Sequence, residues 1–369
     1  MDTGDVAKVE GGKITVHGRK KQRLGEELEL TRKLSQRSVQ ERTKNPTAPW
    51  VVELDPTSAC NLACPDCISG SLLNKGGFDS DRLESLSHEM ADAGVKAVVL
   101  IGGGEPLAHP AIGRVLEIFD ERGVHVGVTT NGTLIDRYQE QLKHTKWMRV
   151  SMDAGTPETF LRFRPAPNGV CRFSDIIGQM ERFAKVKEGK LGYSFLILSH
   201  GDESNVGDIY EAARVAKETG CDYFEVKASF GEDHYLIRQS EEHMAVAKEQ
   251  IASARMLSDD NFRVITPSTL EYVLEGKRLH QPKEYTKCAI ASLRTLVTPT
   301  GVYVCPYFRG NDMGKIGDAS TVSFGDMWRS REVSVDPSKD CRFHCIRHKS
   351  NLILNEGLGE PVDDYDFFI

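Results

Sequence analysis

Long apolar runs are missing from this 369-residue sequence. The strongest one, Ala97-Val98-Val99-Leu100-Ile101, is far too short to span a bilayer. No basic segment followed by an apolar stretch opens the chain, so no secretory signal is read there. Basic excess is also absent. Lys and Arg number 47 against 54 Asp and Glu, a formal net charge of −7, which argues against nucleic acid or an anionic membrane as the main partner. The remaining composition, 39% hydrophobic and 27% charged, is ordinary for a globular chain long enough to bury a sizeable core. A soluble cytoplasmic enzyme is the expectation.

Cysteine is not scarce, and a reducing compartment excludes disulfides as its explanation. The nine cysteines fall in groups. Three stand at 60, 64 and 67, and four stand late, at 288, 305, 341 and 345; Cys171 and Cys221 are alone. Such a division points to ligation of metal or clusters.

Residues 1–46 are polar, with 11 Lys and Arg against 7 Asp and Glu, and read as a peripheral arm with a helix candidate around Glu26–Leu34. Strand candidates follow at 50–54, 96–101, 125–130, 147–152, 191–198, 222–228 and 262–266. Helix candidates lie at 80–93, 111–122, 135–143, 173–187, 205–219 and 236–257. Short apolar runs alternating with helices predict a parallel sheet, and about six units predict a partly or fully closed α/β barrel over 47–275. Active sites of such barrels lie at the C-terminal strand ends. After about 280 the pattern changes. Two strand candidates, Arg294–Pro299 and Val302–Tyr307, flank Thr300-Gly301 as a hairpin, within a second, small domain over 276–369 built around its cysteines.

Cys60, Cys64 and Cys67 follow the first strand in C-x3-C-x2-C spacing. Thiolates suit iron–sulfur clusters or zinc; a structural zinc wants four protein ligands, so three cysteines leave a vertex open unless a distant ligand completes the set. Polar segments end the next strands. They are Gly102-Gly103-Gly104-Glu105-Pro106, Thr129-Thr130-Asn131-Gly132 and Val150-Ser151-Met152-Asp153, with Arg164 beyond.

Together these motifs resemble the radical S-adenosylmethionine (SAM) superfamily. The resemblance implies a partial (β/α)6 barrel and a 4Fe–4S cluster on Cys60, Cys64 and Cys67 that binds and reductively cleaves SAM. It implies SAM contacts at Gly103, Gly104, Glu105, Asn131, Ser151, Asp153 and Arg164, and a flavodoxin- or ferredoxin-type electron donor. One departure stands out: Asp66 occupies the place before the third cysteine where the family usually has an aromatic, and it is given no role.

Cys288, Cys305, Cys341 and Cys345 resemble the ligands of a twitch domain, a shortened SPASM domain holding an auxiliary 4Fe–4S cluster. The likeness extends to Lys315-Ile316-Gly317-Asp318, to Ser323–Trp328, to Cys345-Ile346-Arg347 and to the tail Tyr365–Ile369. A structural zinc ribbon is the alternative.

Substrate-facing candidates are fewer. Tyr223, Glu225 and Lys227 share one strand face, where Glu225 or Lys227 can bind a polyol or take its proton, or form an interior ion pair. His200 follows an earlier strand. Cys171 is a candidate hydrogen donor for an epimerase, whereas Cys221, at a strand start, reads as core. The resemblance to sugar and aminocyclitol dehydrogenases and epimerases implies a small polar substrate (sugar, aminocyclitol or nucleoside). A peptide maturase forming thioether or C–C cross-links and a non-catalytic zinc or electron-transfer protein are the competing readings.

Overall fold

The apolar runs assemble into one sheet. The computed structural model describes residues 47–356 except 201, 232–235, 238 and 277–281, and before 47 only 8–10, 13–15, 33–34 and 43. Seven strands lie parallel in sequence order: β1 (Val51–Leu54), β2 (Ala97–Leu100), β3 (His125–Thr130), β4 (Trp147–Ser151), β5 (Lys190–Ile197), β6 (Tyr223–Ala228) and β7 (Arg263–Ile265). The sheet stays open, with β7 at one edge, and the architecture is a partial α/β barrel.

Between the strands run helices whose apolar residues recur at helical spacing. In α1 (Ser80–Ala93), Leu83, Leu86 and Met90 are buried, Asp79 caps the start by accepting from the Asp81 amide, and Gly94 ends the helix in the left-handed conformation. Next come α2 (Ile112–Glu121), α3 (Pro157–Phe163), α4 (Phe173–Ala184), α5 (Ile209–Glu218), α6 (Glu241–Arg255) and α7 (Ser268–Leu274). The 135–143 candidate shortens to a 3-10 turn and one helical turn, Gln139–Leu142. Helix α3 was not read from the sequence, although Thr156 and Pro157 supply its cap and first turn.

The C-terminal segment differs from a free-standing unit. The hairpin of β8 (Arg294–Thr298) and β9 (Gly301–Tyr303) forms as expected, but β8 also pairs parallel with β1, Leu296 opposite Glu53. With β10 (Lys315–Gly317) the sheet reaches ten strands. A parallel pairing between positions 243 apart leaves no local pattern to read. Helix α8 (Phe324–Ser330) then docks on α1: the Arg82 Nε donates to the Ala319 carbonyl (2.8 Å) and Glu89 accepts from the Phe324 amide (2.8 Å).

Two apolar clusters set the faces of the sheet. Val52, Leu54, Val98 and Val128 pack with the helices, whereas Val51, Ala97 and Val99 pack on the opposite face against Leu293 and Ile353, the latter from α9 (His348–Glu356). Each fully buried aliphatic side chain contributes roughly 1.5–3 kcal/mol. The C-terminal segment therefore closes the concave face over β1 and β2. Over β4 and β6 that face keeps the half-buried polar residues Arg149, Ser151, Glu225 and Lys227. No helix among the described residues is long and apolar enough to cross a membrane. The helix candidate at Glu26–Leu34 and the aromatic tail Tyr365–Ile369 lie almost entirely outside the described residues.

Candidate functional site

The loop carrying Cys60, Cys64 and Cys67 leaves the end of β1 and is bonded from several sides. The Glu105 amide donates to the Ala59 carbonyl (2.8 Å), and the Ala63 amide donates to the Pro165 carbonyl (2.7 Å). Asn61 Nδ2 donates to Thr133 Oγ1 (2.7 Å), and the Cys60 amide donates to Asn74 Oδ1 (3.2 Å). Asn131 Nδ2 donates to Asn61 Oδ1 (2.8 Å) and lies 3.8 Å from Cys60 Sγ. The glycine turn touches the loop so closely that a Cβ on Gly104 would stand 2.3 Å from the Ala59 carbonyl oxygen. That contact is why the position needs glycine.

Glu105 is buried, and its carboxylate is filled by protein donors. Oε1 accepts from the Leu107 amide (3.0 Å) and from Thr130 Oγ1 (2.7 Å), and Oε2 accepts from the Asn131 amide (2.6 Å). Burial pushes its carboxyl pKa up against these donors. The side chain thus ties the end of β2 to the end of β3.

Asp153, past the end of β4, is buried and left-handed (φ 53°), a conformation that aspartate tolerates better than most residues. Its Oδ1 accepts from the Leu196 amide (2.7 Å) and its Oδ2 from Arg164 Nη1 (2.6 Å). Asn205, unread in the sequence, holds the Asp153 carbonyl from below (2.8 Å). Arg164 Nε is buried without an acceptor. Burial alone would lower the Arg164 pKa, but the neighbouring Cys64 and Asp153 outweigh it and hold the pKa high. Cys60 and Cys64, for their part, are pushed up by burial, against the pull of Arg164. Ser151 sits at the end of β4 opposite Ser194 of β5.

Cys288, Cys305, Cys341 and Cys345 line one cavity, together with Tyr285, Tyr307, Arg347 and Asn351. The hairpin brings Cys305, the turn ahead of β8 brings Cys288, and the loop before α9 brings the other two. Cys288 Sγ donates to Asn351 Oδ1 (3.5 Å). Lys283 donates to the Cys341 and Phe343 carbonyls, fixing that loop. Among the described residues no three His, Cys, Asp or Glu side chains stand close enough to hold a single metal ion.

On the open concave face, Arg149 Nη1 donates to Glu225 Oε2 (3.0 Å), and Lys227 Nζ lies 3.4 Å from the same oxygen. Burial and the Arg149 charge pull the Lys227 pKa down to about 8. Glu225 is held low by Lys227 and Arg149 despite its burial. Arg149 escaped the sequence reading because it interrupts an apolar strand without any motif around it.

Other candidates are placed as follows. The Cys171 thiol donates to the Pro157 carbonyl (3.4 Å) at the start of α3. Cys221 is buried ahead of β6. Asp66 and His200 come together: Asp66 Oδ2 and His200 Nε2 are 2.8 Å apart, without the geometry of a hydrogen bond, and the His200 ring stacks on Phe163.

Comparison with known proteins bears on this arrangement. Residues 54–213 match the model of the Radical SAM superfamily. The chain is 28% identical over 179 residues to an AdoMet-dependent heme synthase of Methanosarcina barkeri, covering 47% of this chain and about half (49%) of that relative. It is 25% identical over 300 residues to the mycofactocin maturase MftC of Mycobacterium ulcerans, covering 77% of this chain and 75% of the relative. In fold it is similar to Streptococcus suis SuiB bound to precursor peptide SuiA, with a TM-score of 0.58, 17% identity, and coverage of 88% of this chain and 73% of SuiB.

Proposed function

Because residues 54–213 form a radical SAM domain, a family that works with a 4Fe–4S cluster and SAM, we propose that Cys60, Cys64 and Cys67 hold that cluster in an enzyme acting on a small polar substrate. One observation carries the reading. The glycine turn after β2, Asn131 after β3 and Pro165 after Arg164 all bond the single loop that bears the three thiols. A barrel held together for stability alone has no need to converge three segments on a cysteine loop.

The residues fit the group. Three thiols on one loop leave one iron without a protein ligand. The acceptor-less Arg164 Nε beside Cys64 suits the carboxylate of an amino acid. When bound, the cluster and SAM supply one-electron cleavage of a sulfonium carbon–sulfur bond, and so the means to remove hydrogen from an unactivated carbon.

The chain's own residues do the rest. The C-terminal segment covers the concave face over β1 and β2 and excludes water there. Arg149 fixes Glu225, and Lys227 Nζ, with its lowered pKa, is suited to accept a hydroxyl proton from a bound polyol. Dehydrogenation of a carbinol is the favoured outcome: a hydrogen atom and the hydroxyl proton leave the substrate, and an auxiliary cluster on the four late cysteines would take the remaining electron. Epimerisation needs a hydrogen returned to the other face, and the Cys171 thiol is engaged by Pro157. A flavodoxin- or ferredoxin-type protein is the proposed electron donor.

Cys288, Cys305, Cys341 and Cys345 are proposed to hold an auxiliary 4Fe–4S cluster, as in twitch domains. The four thiols line one cavity, and a structural zinc on the same four, with sulfurs at about 2.3 Å, is the alternative. A peptide substrate is the second reading, favoured by the likeness to a mycofactocin maturase and to peptide-bound SuiB. Mass analysis separates the two: a small product with a new carbonyl supports the first, a cross-linked peptide the second.

Iron content tests the ligand assignment. After anaerobic reconstitution about eight irons per chain are expected, falling to about four in a Cys60/Cys64/Cys67→Ala variant. Equal iron in both proteins would overturn it.

A further inference from the structure

A buried ionic assembly runs between the two cysteine sites, and nothing above uses it. Glu53, on β1, is 4% exposed, and Asp55, just past the end of that strand, is 2% exposed. Glu53 Oε1 accepts from Arg294 Nε (2.7 Å) and also from Arg347 Nη2. Asp55 accepts a fork from Arg309, Nε to Oδ2 at 2.6 Å and Nη2 to Oδ1 at 3.1 Å. All three arginines belong to the C-terminal segment, and both acids belong to the barrel. Three cations thus share two anions, and one of them, Arg347, faces the C-terminal thiols.

The position of that charge matters more than the pairing. Arg347 lines the four-cysteine cavity, two residues after Cys345. It acts electrostatically on Cys305 and Cys345 as well as on Glu53. Buried ion pairs of this kind rarely add net stability over an apolar packing, so their retention asks for another role. A cluster held by four thiolates is anionic and gains a further negative charge on reduction. A fixed guanidinium on the cavity wall stabilises the reduced form more than the oxidised one.

We propose that Arg347, held by Glu53, is a positioning residue that raises the reduction potential of the iron–sulfur cluster bound by Cys288, Cys305, Cys341 and Cys345. The inference rests on the auxiliary-cluster reading above. Glu53 acts in two ways. It aims the guanidinium from a rigid strand, and its own negative charge limits how far the potential rises.

The experiment is a reductive titration followed by electron paramagnetic resonance. It is done on protein carrying Cys60/Cys64/Cys67→Ala, so that only the C-terminal site gives a signal. Iron is counted first; absence of about four irons in this background overturns the auxiliary-cluster reading itself. With iron present, Arg347→Gln is expected to move the midpoint to lower potential, Arg347→Lys to stay near the parent, and Glu53→Gln to move it to higher potential. An Arg347→Gln protein that keeps its iron and its midpoint overturns the proposal. If Arg347→Gln loses its iron, the Glu53→Gln protein decides, and a midpoint unmoved or lowered there overturns it equally.

Discussion

The Asn131 amide donates to Glu105 Oε2 at 2.6 Å, so the acid of one strand-end turn fixes the polar end of the next strand. The Glu105 carboxylate accepts three hydrogen bonds and offers none. Glu105→Gln puts an amide N–H₂ against at least one of those donors. A stability loss of about 2–3 kcal/mol is expected, the cost of an unsatisfied buried donor facing a former charge-assisted bond. Urea denaturation of the two proteins measures it; equal midpoints would mean that the carboxylate does not tie β2 to β3.

Glycine 104 gives a steric prediction with its own control. In Gly104→Ala the new Cβ meets the backbone of Ser58 and Ala59, at 2.5 Å from the Ser58 carbonyl carbon. Backbone cannot swing aside as a side chain does, so the cysteine loop must move. A loss of about 1–3 kcal/mol is expected, together with reduced iron at the three-cysteine site. Gly207→Ala, with nothing within 4 Å of its Cβ, is expected to leave both unchanged or to add slightly to stability. Iron assays and denaturation of the pair measure the difference.

Much of this arrangement was legible in the sequence because it is local. Each strand of the barrel announces itself as an apolar run, and the residues at its C-terminal end must face the same rim. Hence Gly104, Glu105, Asn131 and Asp153 could be placed near Cys60 before any coordinates. What the pattern hid is long-range. The pairing of β8 with β1 joins residues 243 positions apart, and the arginines that pair with Glu53 and Asp55 have no fixed spacing from them. A signal did exist. Glu53 and Asp55 flank Leu54 at the end of a buried strand, and charges there call for partners.

Glu105 carries the expectation of a SAM contact alongside a structural role seen directly. The turn was assigned a SAM contact, yet the Glu105 carboxylate is occupied by Leu107, Thr130 and Asn131. With three donors on it, this side chain holds the ends of two strands together. Arg164, assigned on the same resemblance, spends one nitrogen on Asp153 and keeps Nε buried without an acceptor.

Lys227 gives a pH dependence with a definite sign. Its folded pKa of about 8 lies below the ordinary lysine value of 10.5, so between those values the unfolded chain holds a proton that the native chain has lost. Its contribution to stability therefore rises with pH from about 8 to 10.5, and is flat below 8, where both states are protonated. The rise is on the order of 3 kcal/mol. Other groups titrate in the same window, so the measurement is the difference between the parent and Lys227→Met in urea midpoints at pH 7 and pH 10. The parent is expected to gain on the variant as pH rises; parallel curves would contradict the lowered pKa.

The central claim is that three thiols leave one iron open for a sulfonium. Protein reconstituted anaerobically to about eight irons is mixed with dithionite and SAM, and 5'-deoxyadenosine is quantified by chromatography. The account predicts its formation by the parent and its loss in the Cys60/Cys64/Cys67→Ala variant. A fully iron-loaded parent that forms none, or a variant that forms as much as the parent, would contradict it.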